Sequence, residues 1–258
     1  MSMMQSVMRR LVTLTVKSQL NPRVPVTTQR KRLDLLRFTP MPGGIKESHT
    51  ELAAIPTRRL TPTPCYGAIL YLHGGAYCTG SPDSHREMVA RIARSTEREA
   101  FILDYRLAPE APYPAALEDA VTAYTDLLSR HQDIVIMGDS AGGGLAMALA
   151  EAISKTDYAQ PNAMVLMSPW CDLTCSGPTI DSNRKIDPML HPLWLTSSAE
   201  MYAASTAKDE PGLSPLFGDM SGYPRTLIQV GSDEILLSDS TRAESAMKEA
   251  GGDVTLQV

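Results

Sequence analysis

The stretch from Ile134 to Ala146, Ile-Val-Ile-Met-Gly-Asp-Ser-Ala-Gly-Gly-Gly-Leu-Ala, constrains this chain more than any other. Four apolar residues run into a glycine and a polar pair, and small residues then open a helical pattern. Gly138-Asp139-Ser140-Ala141-Gly142 matches G-x-S-x-G, a sharp strand-to-helix turn that pushes a serine hydroxyl out of the top of a sheet. A side chain at Gly138 or Gly142 would collide with neighbouring backbone in so tight a turn, and glycine has no Cβ to collide. A helix opening at Ala141 aims its free amides, and the positive end of its dipole, at an oxyanion beside the serine. An ordinary glycine-rich strand-to-helix connection has the same spelling, so the motif needs support from the rest of the chain.

That support begins with the alternation around it. Ala68–Leu72, Phe101–Leu103, Ile134–Met137, Met164–Met167, Thr226–Val230 and Val254–Val258 read as strands. Between them, Ser84–Arg98, Ala115–Arg130, Ala141–Ser154 and Ser240–Ala250 read as helices. Met88, Val89, Ile92 and Ala93 share one face of the first helix, and Leu117, Val121, Tyr124 and Leu128 one face of the second. Continuous apolar strands alternating with helices predict a mostly parallel central sheet covered on both faces. Ser168 to Pro215 breaks the rhythm with both tryptophans and several prolines, and is expected as a lid over the C-terminal ends of the strands. Residues 1–64 are expected as a cap segment with edge strands, and 65–258 as the α/β core. Leu52–Ile55 and Arg58–Leu60 read as marginal edge strands kept short by Pro56, Pro62 and Pro64. Val7, Leu11, Leu14 and Val16 have the spacing of a short amphipathic helix.

Composition narrows the function. A formal net charge of -5 argues against a nucleic-acid partner, which needs clustered Lys and Arg. The basic spot from Gln29 to Arg32 reads as a solvated segment. Cys65, Cys78, Cys171 and Cys175 lack zinc spacing and are expected as free thiols in a reducing compartment. Leu11–Val16 is too short and too broken by threonine for a signal peptide, and no apolar run is long enough to span a membrane. The expected compartment is the cytoplasm.

Two further loops fall at strand ends. His73-Gly74-Gly75-Ala76 follows the strand at Ala68, and its glycines let backbone amides approach a ligand; Gly74, Gly75 and Ala141 are the expected oxyanion donors. His73 itself reads as a structural hydrogen-bonding residue. Gly231-Ser232-Asp233-Glu234 follows the strand at Thr226; Asp233 is the expected acid that orients an imidazole, with Glu234 as its competitor. Together with Tyr105-Arg106-Leu107-Ala108-Pro109-Glu110 and Tyr113-Pro114-Ala115-Ala116-Leu117-Glu118-Asp119, these motifs stand in the order of the hormone-sensitive-lipase-like α/β-hydrolases. The sequence resembles a microbial carboxylesterase of that group from about Ala68 onward.

The resemblance implies an α/β-hydrolase fold with a lid built partly from the N-terminal segment, no metal or organic cofactor, and hydrolysis of short-acyl esters. Ser140 would attack the carbonyl and form an acyl-enzyme that water releases. Tyr77, Trp170 and Trp194 are candidates for lining the acyl or alcohol pocket, with core packing as their other reading. One part departs from the pattern. The triad order is serine, acid, histidine, yet His49, His73, His85, His131 and His191 all precede Asp233. His191 in the lid is the one considered as a stand-in. The expectation is a chain lacking the histidine loop and closing helix, weakly active or inactive, with an apolar sheet face bared for association such as a homodimer. A small-molecule receptor on the same fold and an arylformamidase-type amide hydrolase are the alternatives.

Overall fold

The computed structural model describes residues 7, 9, 10 and 12–258. Its strands are β1 (Ile45–Leu52), β2 (Ile55–Pro62), β3 (Ala68–Leu72), β4 (Glu99–Leu103), β5 (Ile134–Asp139), β6 (Ala163–Met167), β7 (Thr226–Gln229) and β8 (Val254–Gln257). They form one eight-stranded sheet in the order β1-β2-β4-β3-β5-β6-β7-β8. β1 pairs antiparallel with β2 and β2 with β4, while every other pairing is parallel. The sheet is mostly parallel, as the alternation predicts, and it fits the α/β-hydrolase fold that the resemblance implies.

Side chains alternate across this sheet, and two cores follow. Leu70, Leu72, Ile134, Ile136, Leu166 and Ile228 face the larger core, with α3 (Ala115–Leu128), α4 (Ala141–Ser154) and α7 (Leu237–Glu249). Ile69, Tyr71, Ala100 and Ile102 face the other way, onto Val89, Ala90 and Ala93 of α2 (Pro82–Thr96). α2 starts two residues before the sequence reading because Ser81 and Ser84 form a reciprocal cap and Pro82 occupies the first turn. Met88, expected inward, is exposed. On α3, Tyr124 is fully buried and Leu117, Val121 and Leu128 pack partly buried against the core, as expected, while Ala116, Ala120, Ala123 and Leu127 lie deeper than the pattern suggested.

The N-terminal third departs furthest from expectation. Leu52 to Ile55 is not a strand; Leu52 ends β1, Ala53 and Ala54 turn with φ of 47° and 69°, and Ile55 opens β2. Positive φ at both central residues is the hairpin geometry that normally advertises itself with Asn-Gly, so two alanines concealed it. Gln29, expected in solvent, is buried in α1 (Val26–Leu33), and its Oε1 accepts from the Trp194 indole at 2.9 Å. Arg30 is likewise fixed, donating to the Cys78 carbonyl at 2.8 Å and the Ala108 carbonyl at 2.7 Å. Of the residues expected on an amphipathic N-terminal helix, Leu11 lies outside the described residues. Val16 packs on the core, whereas Val7 and Leu14 are exposed.

Between β6 and β7 the chain forms α5 (Thr179–Ser182) and α6 (Pro192–Ala203) above the strand ends. On the α2 side of the sheet, Val165 and Leu227 are only partly covered beside a groove of about 250 Å³. Burial therefore alternates residue by residue along β7. Ile228→Ala is expected to lower unfolding free energy by about 2–5 kcal/mol, and Leu227→Ala by less than half as much. Urea denaturation of the two variants side by side checks this.

Candidate active site

Strand register assembles the site. Leu72 of β3 lies opposite Gly138 of β5, Asp139 opposite Met167 of β6, and Met167 opposite Gln229 of β7. The loops that follow these strands therefore open at one edge of the sheet.

Ser140 sits at the turn with φ 51° and ψ −121°, a conformation an L-residue holds only when its surroundings enforce it. Its amide donates to the Met167 carbonyl at 2.9 Å, and its carbonyl accepts from Gly143, Gly144 and Trp170 at 3.0, 3.1 and 2.9 Å. The flanking glycines are steric necessities. A Cβ at Gly138 would lie 2.2 Å from the Gly142 carbonyl oxygen, and one at Gly142 2.0 Å from that of Leu72. The serine opens into a cleft of about 310 Å³. Val12, Met88, Met167, Met189, Leu190 and Leu236 supply its apolar wall, and Asp139, Ser168, Asp187 and Glu234 its polar one. A larger groove of about 530 Å³ around Asp34, Asp83, Asp104 and Arg58 contains no serine held at a strained strand-to-helix turn.

The glycine loop after β3 is placed differently from the sequence reading at one position. The Gly74 amide, expected as an oxyanion donor, already donates to Asp139 Oδ1 at 2.9 Å. Among the described residues the amides of Gly75, Ala76 and Ala141 have no protein acceptor. His73 is fully buried, its Nδ1 donates to the Gly74 carbonyl at 2.9 Å, and it stacks on Tyr105 at 4.3 Å. Burial, with His85 nearby, pushes its pKa down to about 3. It is a neutral structural residue.

Of the two candidate acids, Glu234 lines the cleft, while Asp233 is paired with Arg9 from the N-terminal segment. Burial raises the Glu234 carboxyl, the Asp187 charge adds to this, and hydrogen bonds from Ser168 and the Gly231 amide oppose it. Asp187 ties the segment between β6 and β7 to the loop after β7, accepting from the amides of Met189 at 2.7 Å, Leu190 at 2.8 Å and Ile235 at 2.8 Å. Lys17 reaches the Asp187 carbonyl at 2.5 Å from the other side.

The three aromatic candidates do not line this cleft. Tyr77 is buried face to face with Tyr202 at 3.8 Å, and Trp170 and Trp194 are buried with their indole N–H groups bonded to the Asp172 carbonyl and to Gln29. Each has its polar atom or ring face satisfied inside the core, which is why none turns outward. His191 caps α6, accepting from the Leu193 amide at 3.2 Å, and borders a separate groove with Lys17 and Arg23. Among the described residues no histidine lines the Ser140 cleft, and no cluster of His, Cys, Asp and Glu is arranged to hold a metal ion.

Asp139 and His85 are site residues that the sequence reading passed over. Asp139 Oδ1 accepts from Tyr71 Oη at 2.8 Å and from His85 Nε2 at 3.4 Å. Burial pushes the Asp139 carboxyl up, but the His85 charge and the hydrogen bonds outweigh it and hold the group below its usual value. Burial likewise lowers His85, but Asp139 and the Ser81 carbonyl outweigh it and raise the imidazole. The signals were present, Asp139 inside the serine motif and His85 just past the Ser81–Pro82 helix start.

Comparison with known proteins agrees with this geometry. A family model described as the alpha/beta hydrolase fold matches residues 69–258. An acetyl-hydrolase of Streptomyces hygroscopicus is 41% identical over 192 residues, 73% of this chain and 64% of that protein. An esterase of Acinetobacter venetianus is 38% identical over 186 residues, 70% of this chain and 61% of its own. The match thus spans just under two-thirds of these relatives. Among solved structures, an esterase from the bacterial hormone-sensitive lipase family superposes with a TM-score of 0.92 at 34% identity, covering 97% of this chain and 86% of that one. EstE5, soaked with p-nitrophenyl butyrate, gives 0.94 at 34% identity over 100% and 88%. The chain belongs to the α/β-hydrolase family, in its hormone-sensitive-lipase-like branch.

Two expected outcomes follow from the geometry. Gly142→Ala forces a Cβ against the Leu72 carbonyl and should cost about 1–3 kcal/mol of stability, read by thermal or urea unfolding. The second concerns pH. Since the folded His85 value is raised above 6.5, its contribution is complete below that pH and is lost as pH rises through the folded value. Asp139, lowered below 3.8, contributes above that pH and loses its part as pH falls through its folded value. Urea midpoints should therefore fall at both extremes, and His85→Gln should abolish the alkaline fall attributable to this pair.

Proposed function

We propose that the chain is built as a carboxylic ester hydrolase acting on short-acyl esters through Ser140. The observation that carries the reading is the strained Ser140 opening into a cleft of about 310 Å³, small enough to favour short acyl groups. In this reading Ser140 Oγ attacks the ester carbonyl and the amides of Gly75, Ala76 and Ala141 stabilise the oxyanion, each free of a protein acceptor. Gly74 is left out because its amide already has one. Collapse of the tetrahedral intermediate expels the alcohol and leaves an acyl-serine, which water hydrolyses. Glu234, rather than Asp233, is the acid that would orient an imidazole, because it borders the serine cleft while Asp233 is engaged by Arg9.

The base is the unfilled role. With no histidine bordering the cleft, the 258-residue chain by itself should keep only the roughly 10³ to 10⁴-fold advantage over water that binding and an oxyanion hole supply. The same observation suits a second reading, a receptor that binds an ester-like small molecule without turnover. Four unpaired thiols are compatible with a cytoplasmic setting, and no helix among the described residues is long and apolar enough to cross a membrane.

Hydrolysis of p-nitrophenyl acetate and butyrate separates the readings. The assay compares the chain, Ser140→Ala, Glu234→Gln, and a form extended by a histidine-bearing C-terminal segment. The hydrolase reading expects Ser140-dependent turnover that rises at least about a hundredfold in the extended form and drops when Glu234 is replaced. A receptor would bind ester analogues tightly while every form stays at the rate of Ser140→Ala. Loss of extended-form turnover in Asp233→Asn, with Glu234→Gln unaffected, would return the acid role to Asp233.

A further inference from the structure

The loop that would carry the oxyanion donors contains consecutive residues in the left-handed region, Gly75 at φ 126°, Ala76 at 52° and Tyr77 at 60°. Two non-glycine residues there need external restraint. The restraints are visible. On one side the Tyr105 hydroxyl donates to the His73 carbonyl at 2.6 Å. Within the loop, the Cys78 and Thr79 amides close on the Gly75 carbonyl at 3.0 and 2.8 Å. On the other side the Gly74 amide is held by Asp139 Oδ1. The contact is close, since a Cβ on Gly74 would lie 2.1 Å from Asp139 Oδ2.

Of these restraints the Asp139 contact runs directly to the residue preceding the nucleophile. The carboxylate is itself aimed by two other donors, Tyr71 Oη at 2.8 Å and His85 Nε2 at 3.4 Å. His85 is held by Ser84 Oγ at 2.8 Å from its Nδ1, with the Ser81 carbonyl at 3.2 Å from the same atom. The rings of His73 and Tyr71 lie 5.5 and 6.2 Å from it. An oxyanion hole built from two loops works only if both hold register to a fraction of an ångström, since a 1 Å misplacement is able to cost on the order of 10² in rate.

We infer that Asp139 is a positioning residue, latching the Gly74 amide so that the Gly75 and Ala76 amides keep a fixed offset from Ser140, with His85 balancing and orienting its carboxylate. The inference rests on the hydrolase reading above for its kinetic consequence, but its structural consequence is independent of turnover.

The test uses the 258-residue chain with three readouts. These are hydrogen–deuterium exchange of residues 73–79, the His85 titration by NMR, and kcat and KM for Ser140-dependent p-nitrophenyl butyrate hydrolysis. Asp139→Ala should speed exchange of that loop at least about tenfold and lower kcat about a hundredfold with KM nearly constant, the signature of a lost transition-state interaction. Tyr71→Phe, which removes one donor to the carboxylate but leaves the Gly74 link, should lower kcat by about tenfold or less, well short of Asp139→Ala. Asp139→Asn retains shape and an acceptor for Gly74, so loop exchange stays near the parent value while the His85 pKa falls below 6.5 once its charged partner is gone.

The latch is overturned by unchanged loop exchange in Asp139→Ala, or by an unchanged His85 titration in Asp139→Asn should the alanine variant not fold. A kcat loss in Tyr71→Phe equal to that in Asp139→Ala also overturns it, since loss of the Gly74 link would then add nothing. Absence of Ser140-dependent turnover in the parent chain refutes the hydrolase reading instead, and the exchange and titration results then decide the latch alone.

Discussion

The structure depends on a backbone crossing that tolerates no side chains. Around Ser140 the carbonyls of Leu72, His73 and Gly142 approach so closely that Cβ atoms at Gly138 or Gly142 would overlap them. The serine's conformation is unfavourable by itself and persists because the neighbouring backbone hydrogen bonds over-determine it. Central strands, the first turn of α4 and the return of the chain at Trp170 all meet there. Strain is thus concentrated at Ser140 and the support is distributed through the sheet. Such an arrangement fixes a hydroxyl in the open while its neighbours stay buried.

Much of this was legible in the sequence, and the reasons differ by element. β3, β5 and α4 were readable because their apolar runs are uninterrupted and the glycine motif punctuates them; α4 has the bounds its pattern predicts, Ala141 to Ser154. The hairpin at Ala53–Ala54 was not, because its positive-φ residues are alanines imposed by strand pairing rather than by local preference. Gln29 and Arg30 looked like solvent-facing polar residues because their partners, Trp194, Cys78 and Ala108, are remote in sequence. The tryptophans misled in the opposite direction. Large aromatic side chains in an insertion suggest a pocket, but here each finds a bonded place in the core.

The donor and acid positions show the limit of motif reading more sharply. A glycine loop announces amides near a ligand but not which of them already has a partner; Asp139 settles that for Gly74 through a hydrogen bond no spacing rule contains. Likewise Asp233 and Glu234 are adjacent in sequence, and only three-dimensional neighbours distinguish them. Arg9 draws one carboxylate away, while Ser168, the Gly231 amide and Asp187 surround the other.

The roof of the cleft joins widely separated parts of the chain. Arg9 meets Asp233 and the Ile186 carbonyl, Lys17 meets the Asp187 carbonyl, and Val12 borders the serine. These contacts have very long sequence separation, so closing them carries a large loop entropy and belongs late in folding. During synthesis the roof segment, though made before the sheet, is therefore among the last parts to find its seat. The nascent sheet must carry an unroofed Ser140 turn until the stretch beyond β7 has emerged.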